Sequence, residues 1–252
     1  MKKIVVISDT QHPYHDQKAI DTVCEFIKDW KPDVLLHVGD EVDSPEPSKW
    51  NKGLAGEYAG TLQKGLDCAV QGLAQFRDAL GKGKPFHLSR SNHSDRVETY
   101  VRKYAPALAP LRSLFLENLM SHESLGITYH RSVFEFHPGW VLAHGDEGGL
   151  VQTPGGTAMS LARRLGKSVL TGHTHKLGFQ HETRGMHGRT TTLWGIEVGH
   201  LMDMRKAAYL KTGSANWAQG FATLVIDNND VAFNLHHVQK GKVIAHGKAY
   251  RA

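Results

Sequence analysis

Residues 3–11, KIVVISDTQ, decide how the rest of the chain is read. Four consecutive β-branched residues, Ile4 to Ile7, favour a strand buried on both faces. The run stops abruptly at Ser8 and Asp9. An aspartate just after a strand is usually a turn residue bonded to its own backbone, so the meaning of Asp9 depends on how the other strands end. Working outward, Ala19, Ile20, Val23, Phe26, Ile27 and Trp30 recur at helical spacing, and Lys31-Pro32-Asp33 ends that helix. DVLLHVGD (33–40) then repeats the pattern of an apolar run closed by an acid. Strand, helix, strand is a βαβ unit, which calls for parallel strands in an α/β domain.

Further along, SPEPSKWNKGLAG (44–56) reads as a loop. A helical face follows, carrying Tyr58, Leu62, Leu66, Val70, Leu73 and Phe76 and weakened by Gly60, Gly65 and Gly72. PFHLSRSNH (85–93) reads as a strand. Residues 95–120 read as helical, with breaks near Pro106 and Pro110, and VFEFHPGWVLAHGD (133–146) reads as a hairpin turning at His137-Pro138-Gly139. GTAMSLARRLGK leads by a short helix into the buried strand SVLTGHTH (168–175). The remainder is β-rich: TTLWGIEVGHL, GFATLVI and VAFNLHHVQ, the last two joined across Asp227-Asn228-Asn229-Asp230. No repeat or linker divides the chain, so residues 1–252 are expected to form a single domain, with excursions from its core at 44–65 and 178–220.

The chain has 252 residues, 40% of them hydrophobic, enough for a substantial core. No apolar run is long enough to span a bilayer, and the basic start is followed by only four apolar residues, so no signal peptide or membrane partner is expected. Cys24 and Cys68 lack metal-type spacing and read as reduced core thiols of a cytosolic protein. The formal charge of +5 is scattered, a weak pointer to an anionic substrate. Seventeen histidines are well above ordinary usage, and imidazole is both a metal ligand and a proton carrier.

Position makes that count informative. Five apolar strands end in a polar burst: VVIS-Asp9, LLHVG-Asp40, HLSRS-Asn92-His93, VLA-His144 and VLTG-His173-Thr174-His175. In α/β sheets, sites assemble at the carboxyl ends of strands. Carboxylate, imidazole and amide oxygen without thiolate suit Mn, Fe or Zn. Two such ions sharing a bridging carboxylate can clamp both oxygens of a phosphoryl displacement.

The segments DTQ (9–11), GDEVD (39–43), SNHSD (91–95), AHGD (143–146) and GHTH (172–175) resemble, in order, the motifs of the calcineurin-like metallophosphoesterase superfamily: Asp-x-His, Gly-Asp-x-x-Asp/Asn, Gly-Asn-His-Asp/Glu, a later His and Gly-His-x-His. The resemblance covers about two thirds of the chain. It implies a four-layer αββα sandwich of two mixed β-sheets flanked by helices. It also implies two divalent metal ions, Mn favoured, with Zn, Fe or Ni as alternatives. Carried over by that resemblance, Asp9, Asp40 and His175 are expected to hold one ion, and Asp40 to bridge to a second held also by Asn92, His144 and His173. The resemblance further implies a bridging hydroxide that attacks phosphorus in line, His93 as the general acid that protonates the leaving oxygen, and Asp43 as the residue that orients His93.

Two positions depart from the family pattern. Ser91 replaces the glycine before Asn92, tolerable if the turn does not need positive φ. Gln11 replaces the histidine of Asp-x-His. Its amide oxygen is a weaker ligand than imidazole for Zn, which leaves amide ligation, water, or a displaced imidazole from His12 as the readings of that place. Phage and prophage metallophosphoesterases often carry Gln there, and GHLMDMRKAAYLKTGSANWAQGF (199–221) also resembles that subgroup. Arg96 is a candidate for a phosphate oxygen or a solvent-facing helix residue, and His12 a candidate at the entrance. Asp146 and Glu147 read either as supports of the ligands or as a solvated turn, and His200 as a rim residue near substrate. His15 is expected to be exposed.

The reading is therefore a metal-dependent phosphoesterase, phosphodiesterase favoured over phosphomonoesterase. Its substrate is a phosphoester, with a nucleotide or nucleic acid among the candidates, and its location is cytoplasmic, in the host cell if a phage encodes it. One alternative is a DNA exo- or endonuclease of the same superfamily, which needs a long basic groove. The other is a non-catalytic binding scaffold on the same fold, against which the nearly complete ligand set argues. No feature of the sequence sets the oligomeric state.

Overall fold

The computed structural model describes residues 1–207 and 215–252. In chain order the strands are β1 (Lys2–Ile7), β2 (Val34–His37), β3 (Phe86–Ser89), β4 (Ile127–His130), β5 (Phe134–His137), β6 (Trp140–Leu142), β7 (Ser168–Thr171), β8 (Leu177–Met186), β9 (Arg189–Val198), β10 (Gly220–Asp227), β11 (Asp230–His237), β12 (Lys242–Ala245) and β13 (Lys248–Arg251). The helices are α1 (Gln17–Trp30), α2 (Leu62–Leu80), α3 (Arg96–Tyr104), α4 (Leu116–Leu119) and α5 (Gly156–Leu165).

Two mixed sheets stack face to face. The first runs β11-β10-β1-β2-β3-β4, with β1 to β4 parallel and β10 and β11 antiparallel. The second runs β5-β6-β7-β9-β8, with β6, β7 and β9 parallel and the edges antiparallel. The period of two along β1 shows why four layers form. Ile4 and Val6 face the second sheet and pack with Leu142, Leu170 and Ile196. Val5 and Ile7 face the other way, against α1 and α2 through Ile20, Val23, Leu73 and Phe76. On the far side, Val141 and Val169 of the second sheet pack on Met159 and Leu161 of α5. The order is therefore helices, sheet, sheet, helix, the expected αββα sandwich. Each of these fully buried aliphatic side chains contributes roughly 1.5–3 kcal/mol.

Helix α1 begins at Asp16, whose carboxylate accepts from the Lys18 and Ala19 amides, and ends at Lys31 in the left-handed region before Pro32. Several expectations are corrected. Tyr58 lies in a 3-10 turn and is exposed, because α2 starts only at Leu62. Residues 95–120 hold just α3, α4 and intervening 3-10 turns. Residues 178–198, within the expected 178–220 excursion, hold β8 and β9, which pair over their whole length in the second sheet. Residues 208–214, which fall within the expected 178–220 excursion and the 199–221 stretch, lie outside the described residues. The hairpin of β12 and β13, unread from sequence, seals α1 with Val243, Ala245 and Tyr250. Cys24 is buried and Cys68 half-buried, both as free thiols.

Candidate metal centre

The carboxyl ends of β1, β2, β3, β6 and β7 point to one edge of the sandwich and bring the five polar bursts together. Leaving a strand so abruptly requires tight turns. Asp9, Gln11, Asp40, His173 and His175 all have positive φ, between +49° and +62°, a conformation that non-glycine residues adopt rarely and mostly at functional sites. Glycine is needed at two approaches. A Cβ on Gly39 would lie 2.7 Å from Ser91 Cβ and 3.0 Å from His144 Nδ1, and one on Gly172 would lie 2.3 Å from Asp9 Oδ2. The glycines of GDEVD and GHTH thus let three strand ends crowd around the same carboxylates.

Asp40, His144 and His173 offer ligand atoms that all lie within 4.8 Å of one another. His144 Nε2 stands 3.4 Å from Asp40 Oδ1 and 3.0 Å from Asn92 Oδ1. Its Nδ1 lies 2.9 Å from the Val38 carbonyl, which can only accept, so Nδ1 carries a proton and Nε2 is the nitrogen turned to the site; a cation bound there would displace the proton from Nε2. Carboxylate, amide oxygen and two imidazoles, already gathered, fit a divalent cation. The electrostatics agree. Burial opposes the charged forms, yet the Asp40 carboxyl is held well below its usual range by His144 and His93, and His144 rises to about 10 against burial because Asp40 faces it. The site attracts positive charge.

The neighbouring locus is less open. Asp9 Oδ1 lies 3.2 Å from His175 Nε2, and the Asp9 carboxylate accepts from the His173 amide at 3.0 Å and from the Ser8 hydroxyl. Between these groups sits the Gln11 carboxamide, its Nε2 3.2 Å from His175 Nε2 and 3.3 Å from Asp40 Oδ2. Gln11 Oε1 is buried without a partner. Turning the amide over would aim that oxygen at the same groups. Among the described residues only Asp40, His144 and His173 gather three such ligand atoms, so this neighbouring locus is not assembled in the same way.

His93 stands over the centre. Asp43 Oδ1 holds its Nδ1 at 2.9 Å, and Arg96 Nη2 lies 3.0 Å from its Nε2, itself 3.7 Å from Asp40 Oδ2. Burial alone would lower the imidazole's pKa, but Asp40 and Asp43 outweigh it and raise it. Arg96 also donates to the Asp43 carbonyl, so it is anchored at the rim rather than free in solvent.

His12 is not brought to this centre. Its ring packs against α2, where a Cβ on Gly72 would lie 2.1 Å from Nε2, and its Nδ1 lies 2.9 Å from the Glu41 carbonyl. Burial drives its pKa down to about 3. The physical reason is that residue 12 continues alongside the chain after β2, in a parallel bridge to Val42, with its side chain turned to α2 and away from the face of Asp9 and Gln11. His15 is half-buried rather than exposed, stacked on His12 at 4.3 Å. His200 is buried, its ring 4.9 Å from that of His175, which also has Trp217 at 4.2 Å.

Three supporting residues escape a reading by motif. Arg90, just after β3, forks between Asp95 (2.8 and 3.0 Å) and Asp146 (2.9 Å to each oxygen), tying the Asn92 turn to the His144 turn. Asp146 therefore acts as a brace, and Glu147 accepts from the Gly145 amide at 2.7 Å. Ser91 does not adopt positive φ; its hydroxyl accepts from the Asp40 amide at 3.0 Å and meets Ser94 Oγ at 2.6 Å. Ser94 in turn donates to the buried Glu41 carboxyl, which burial raises to about 7. An arginine straight after a buried strand was the one signal in the sequence that could have suggested such a brace.

A family profile described as calcineurin-like phosphoesterase matches residues 2–177. The chain is 39% identical to the Gene 54 protein of Mycobacterium phage D29, over 99% of this chain and 98% of that protein. It is 36% identical, with the same coverage, to the Gene 54 protein of Mycobacterium phage L5. Among solved structures, a single mutant of Vps29 from Entamoeba histolytica is 15% identical with a TM-score of 0.47, covering 99% of this chain and 98% of that one. A predicted phosphoesterase from Streptococcus pneumoniae is 12% identical with a TM-score of 0.41, covering 100% and 98%.

Proposed function

Since this chain belongs to the calcineurin-like phosphoesterase family, we propose that it hydrolyses a phosphodiester with two divalent cations, Mn favoured. Asp40, Asn92, His144 and His173 would hold one cation, and Asp9, Asp40, His175 and the turned amide of Gln11 the other. When bound, the cations supply acidified water and neutralise charge on the phosphoryl oxygens. The observation that carries the reading is the convergence of Asp40, His144 and His173 within 4.8 Å, with the Asn92 oxygen beside them.

The chain's own residues supply the remaining chemistry. His93, with Nδ1 held by Asp43, presents Nε2 towards the centre; there Nε2 accepts from the donor-only Arg96 guanidinium, and once Arg96 turns to the phosphoryl group a proton taken up on Nε2 passes to the departing oxygen. An alkoxide leaving group needs that proton more than a good leaving group does, which supports a diester. Asp43 is a positioning residue that keeps Nε2 directed inward. Arg96, at 3.0 Å from that nitrogen, is placed to hold a non-bridging oxygen of the phosphoryl group. Among the described residues no helix is long and apolar enough to cross a membrane, and action in the cytoplasm of a phage's host is part of the proposal.

The test is a panel in which the purified chain is stripped by chelator, reloaded with Mn, Zn, Fe, Ni or Mg, and assayed on a model monoester, a model diester, cyclic nucleotides and DNA. Diester hydrolysis that vanishes on chelation and in His173→Ala is expected. Hydrolysis indifferent to both would refute the metal-dependent reading, and a chain that binds metal without hydrolysing any ester would point to a binding scaffold.

A further inference from the structure

A cavity of about 420 Å³ opens directly off the candidate metal centre, with Asn92 and Arg96 in its wall. That volume is in the range of small-molecule sites. Its walls combine two chemistries. Tyr100 and Tyr104 rise from α3 at four-residue spacing behind Arg96, their ring centroids 4.8 Å apart, and Trp50 comes from the 44–61 loop. Lys49, Lys52, Arg96 and Lys103 also line the cavity, and among the described residues no acid does. Lys52 is matched by Glu57, but among the described residues Lys49 and Lys103 form no ion pair.

The aromatic rings are poorly covered. Trp50 is 75% and Tyr104 44% exposed, and their present neighbours are cations: Lys49 Nζ lies 4.9 Å from the Trp50 ring, and Lys52 and Lys103 lie 4.1 and 5.1 Å from that of Tyr104. The loop that carries Trp50 is built to stay. Glu57 accepts from the Gly53 amide at 2.7 Å and the Tyr100 hydroxyl at 2.8 Å, fastening the loop to α3. Arg96 to Tyr104 spans about 12 Å of helix, so the rings begin beside the phosphate position and lead away from it. Flat π-faces interleaved with unpaired cations, continuous with a phosphoryl site, complement a planar base joined to phosphate.

Resting on the phosphoesterase reading above, we propose that this cavity is a nucleoside subsite. The base of the substrate stacks on Tyr104 and Trp50, Lys49 and Lys103 face its further phosphates, and the scissile phosphate lies at the Asn92–Arg96 end. The substrate class is therefore a nucleotide phosphodiester. Stacking on either ring tolerates any base, so selection is for a nucleoside and not for a sequence.

Calorimetric titration of the Mn-loaded full chain with adenosine 5′-monophosphate and with inorganic phosphate tests this. The nucleotide is expected to bind at least about tenfold more tightly than phosphate. Trp50→Ala and Tyr104→Ala each weaken nucleotide binding about 5- to 150-fold, the range of one stacked base, with phosphate affinity held, and Tyr104→Phe restores it. A single-stranded tetranucleotide binding more tightly than the monophosphate, with a steep salt dependence, identifies a strand as the source of the nucleoside; equal affinity identifies a free nucleotide. Nucleotide binding no tighter than phosphate, or equal losses for both ligands in the variants, overturns the subsite. A chain that hydrolyses a model diester yet gives that result loses only the subsite, whereas one that fails to bind phosphate and to hydrolyse the diester loses the function as well.

Discussion

Replacing Arg90 with methionine keeps a similar apolar stem and removes the fork that joins the Asn92 and His144 turns. In the native protein the guanidinium makes two 2.9 Å contacts with Asp146, two with Asp95 at 2.8 and 3.0 Å, and stands 3.5 Å from Glu147. The arginine and Asp146 side chains are about four-fifths covered, while Asp95 is nearly half exposed. Stranding a buried charge costs about 3–5 kcal/mol, and an exposed pair is worth about 0–1 kcal/mol. This intermediate network should therefore lose about 2–3 kcal/mol, which for a chain of this length lowers Tm by roughly 5–10 °C. The consequence for function is separate, because Arg90 bonds to none of the proposed metal ligands. With Asn92 and His144 no longer braced against each other, Mn affinity should fall about 10–100-fold, as when other partners of metal ligands are removed. Thermal unfolding and Mn calorimetry on Arg90→Met and Arg90→Lys read both effects; lysine, a point charge that cannot fork, falls between. A variant as stable as the wild type that binds Mn equally well would refute the bracing argument.

The buried His122 makes a pH test remote from the centre. Among the described residues neither ring nitrogen has a hydrogen-bond partner, and burial lowers its pKa from 6.5 to about 4. The unfolded chain therefore takes up the proton first, so this contribution is intact above about pH 6.5 and is lost as pH falls towards 4. Between pH 7.5 and 5 the wild type should lose about 2 kcal/mol more than His122→Leu in urea unfolding, and parallel losses would contradict it. At the centre, elemental analysis after dialysis against Zn should rise from about one retained ion per chain to about two in Gln11→His, because imidazole replaces a reluctant amide. His12→Ala should leave occupancy unchanged, and equal occupancy in wild type and Gln11→His would remove any special role for Gln11.

The parts of this molecule that could be read from its sequence are those in which a local pattern and a chemical need coincide. The unbroken apolar run of β1 pointed to a strand buried on both faces and the polar ends of five strands to the residues that meet, while the four layers came from the family resemblance. Where tertiary partners decide, local pattern was silent. Nothing near His12 announces that Gly72, sixty residues away, leaves a space for its ring. Nor does anything near Ser91 say that its hydroxyl will hold the Asp40 amide. Strand β8 went unread because its half-covered Gln180 and Glu182 are polar while its apolar Phe179 and Met186 are exposed, which breaks the alternation that marks a strand. The aromatic cavity escaped notice because Trp50 and Tyr104 belong to different elements and come to line one cavity only in the folded chain.

Strand β1 belongs to both cores at once, Ile4 and Val6 to one and Val5 and Ile7 to the other. The position of Asp9 is thereby indexed to the whole sandwich, and no local fraying can displace it without disturbing two packed interfaces. The wall that bears Trp50 has no such obligation, being fastened mainly through Glu57. Chassis and tool are thus mechanically separate: the loop can be exchanged or lengthened in descent or by design, redirecting what the protein accepts, while the ligands keep their places.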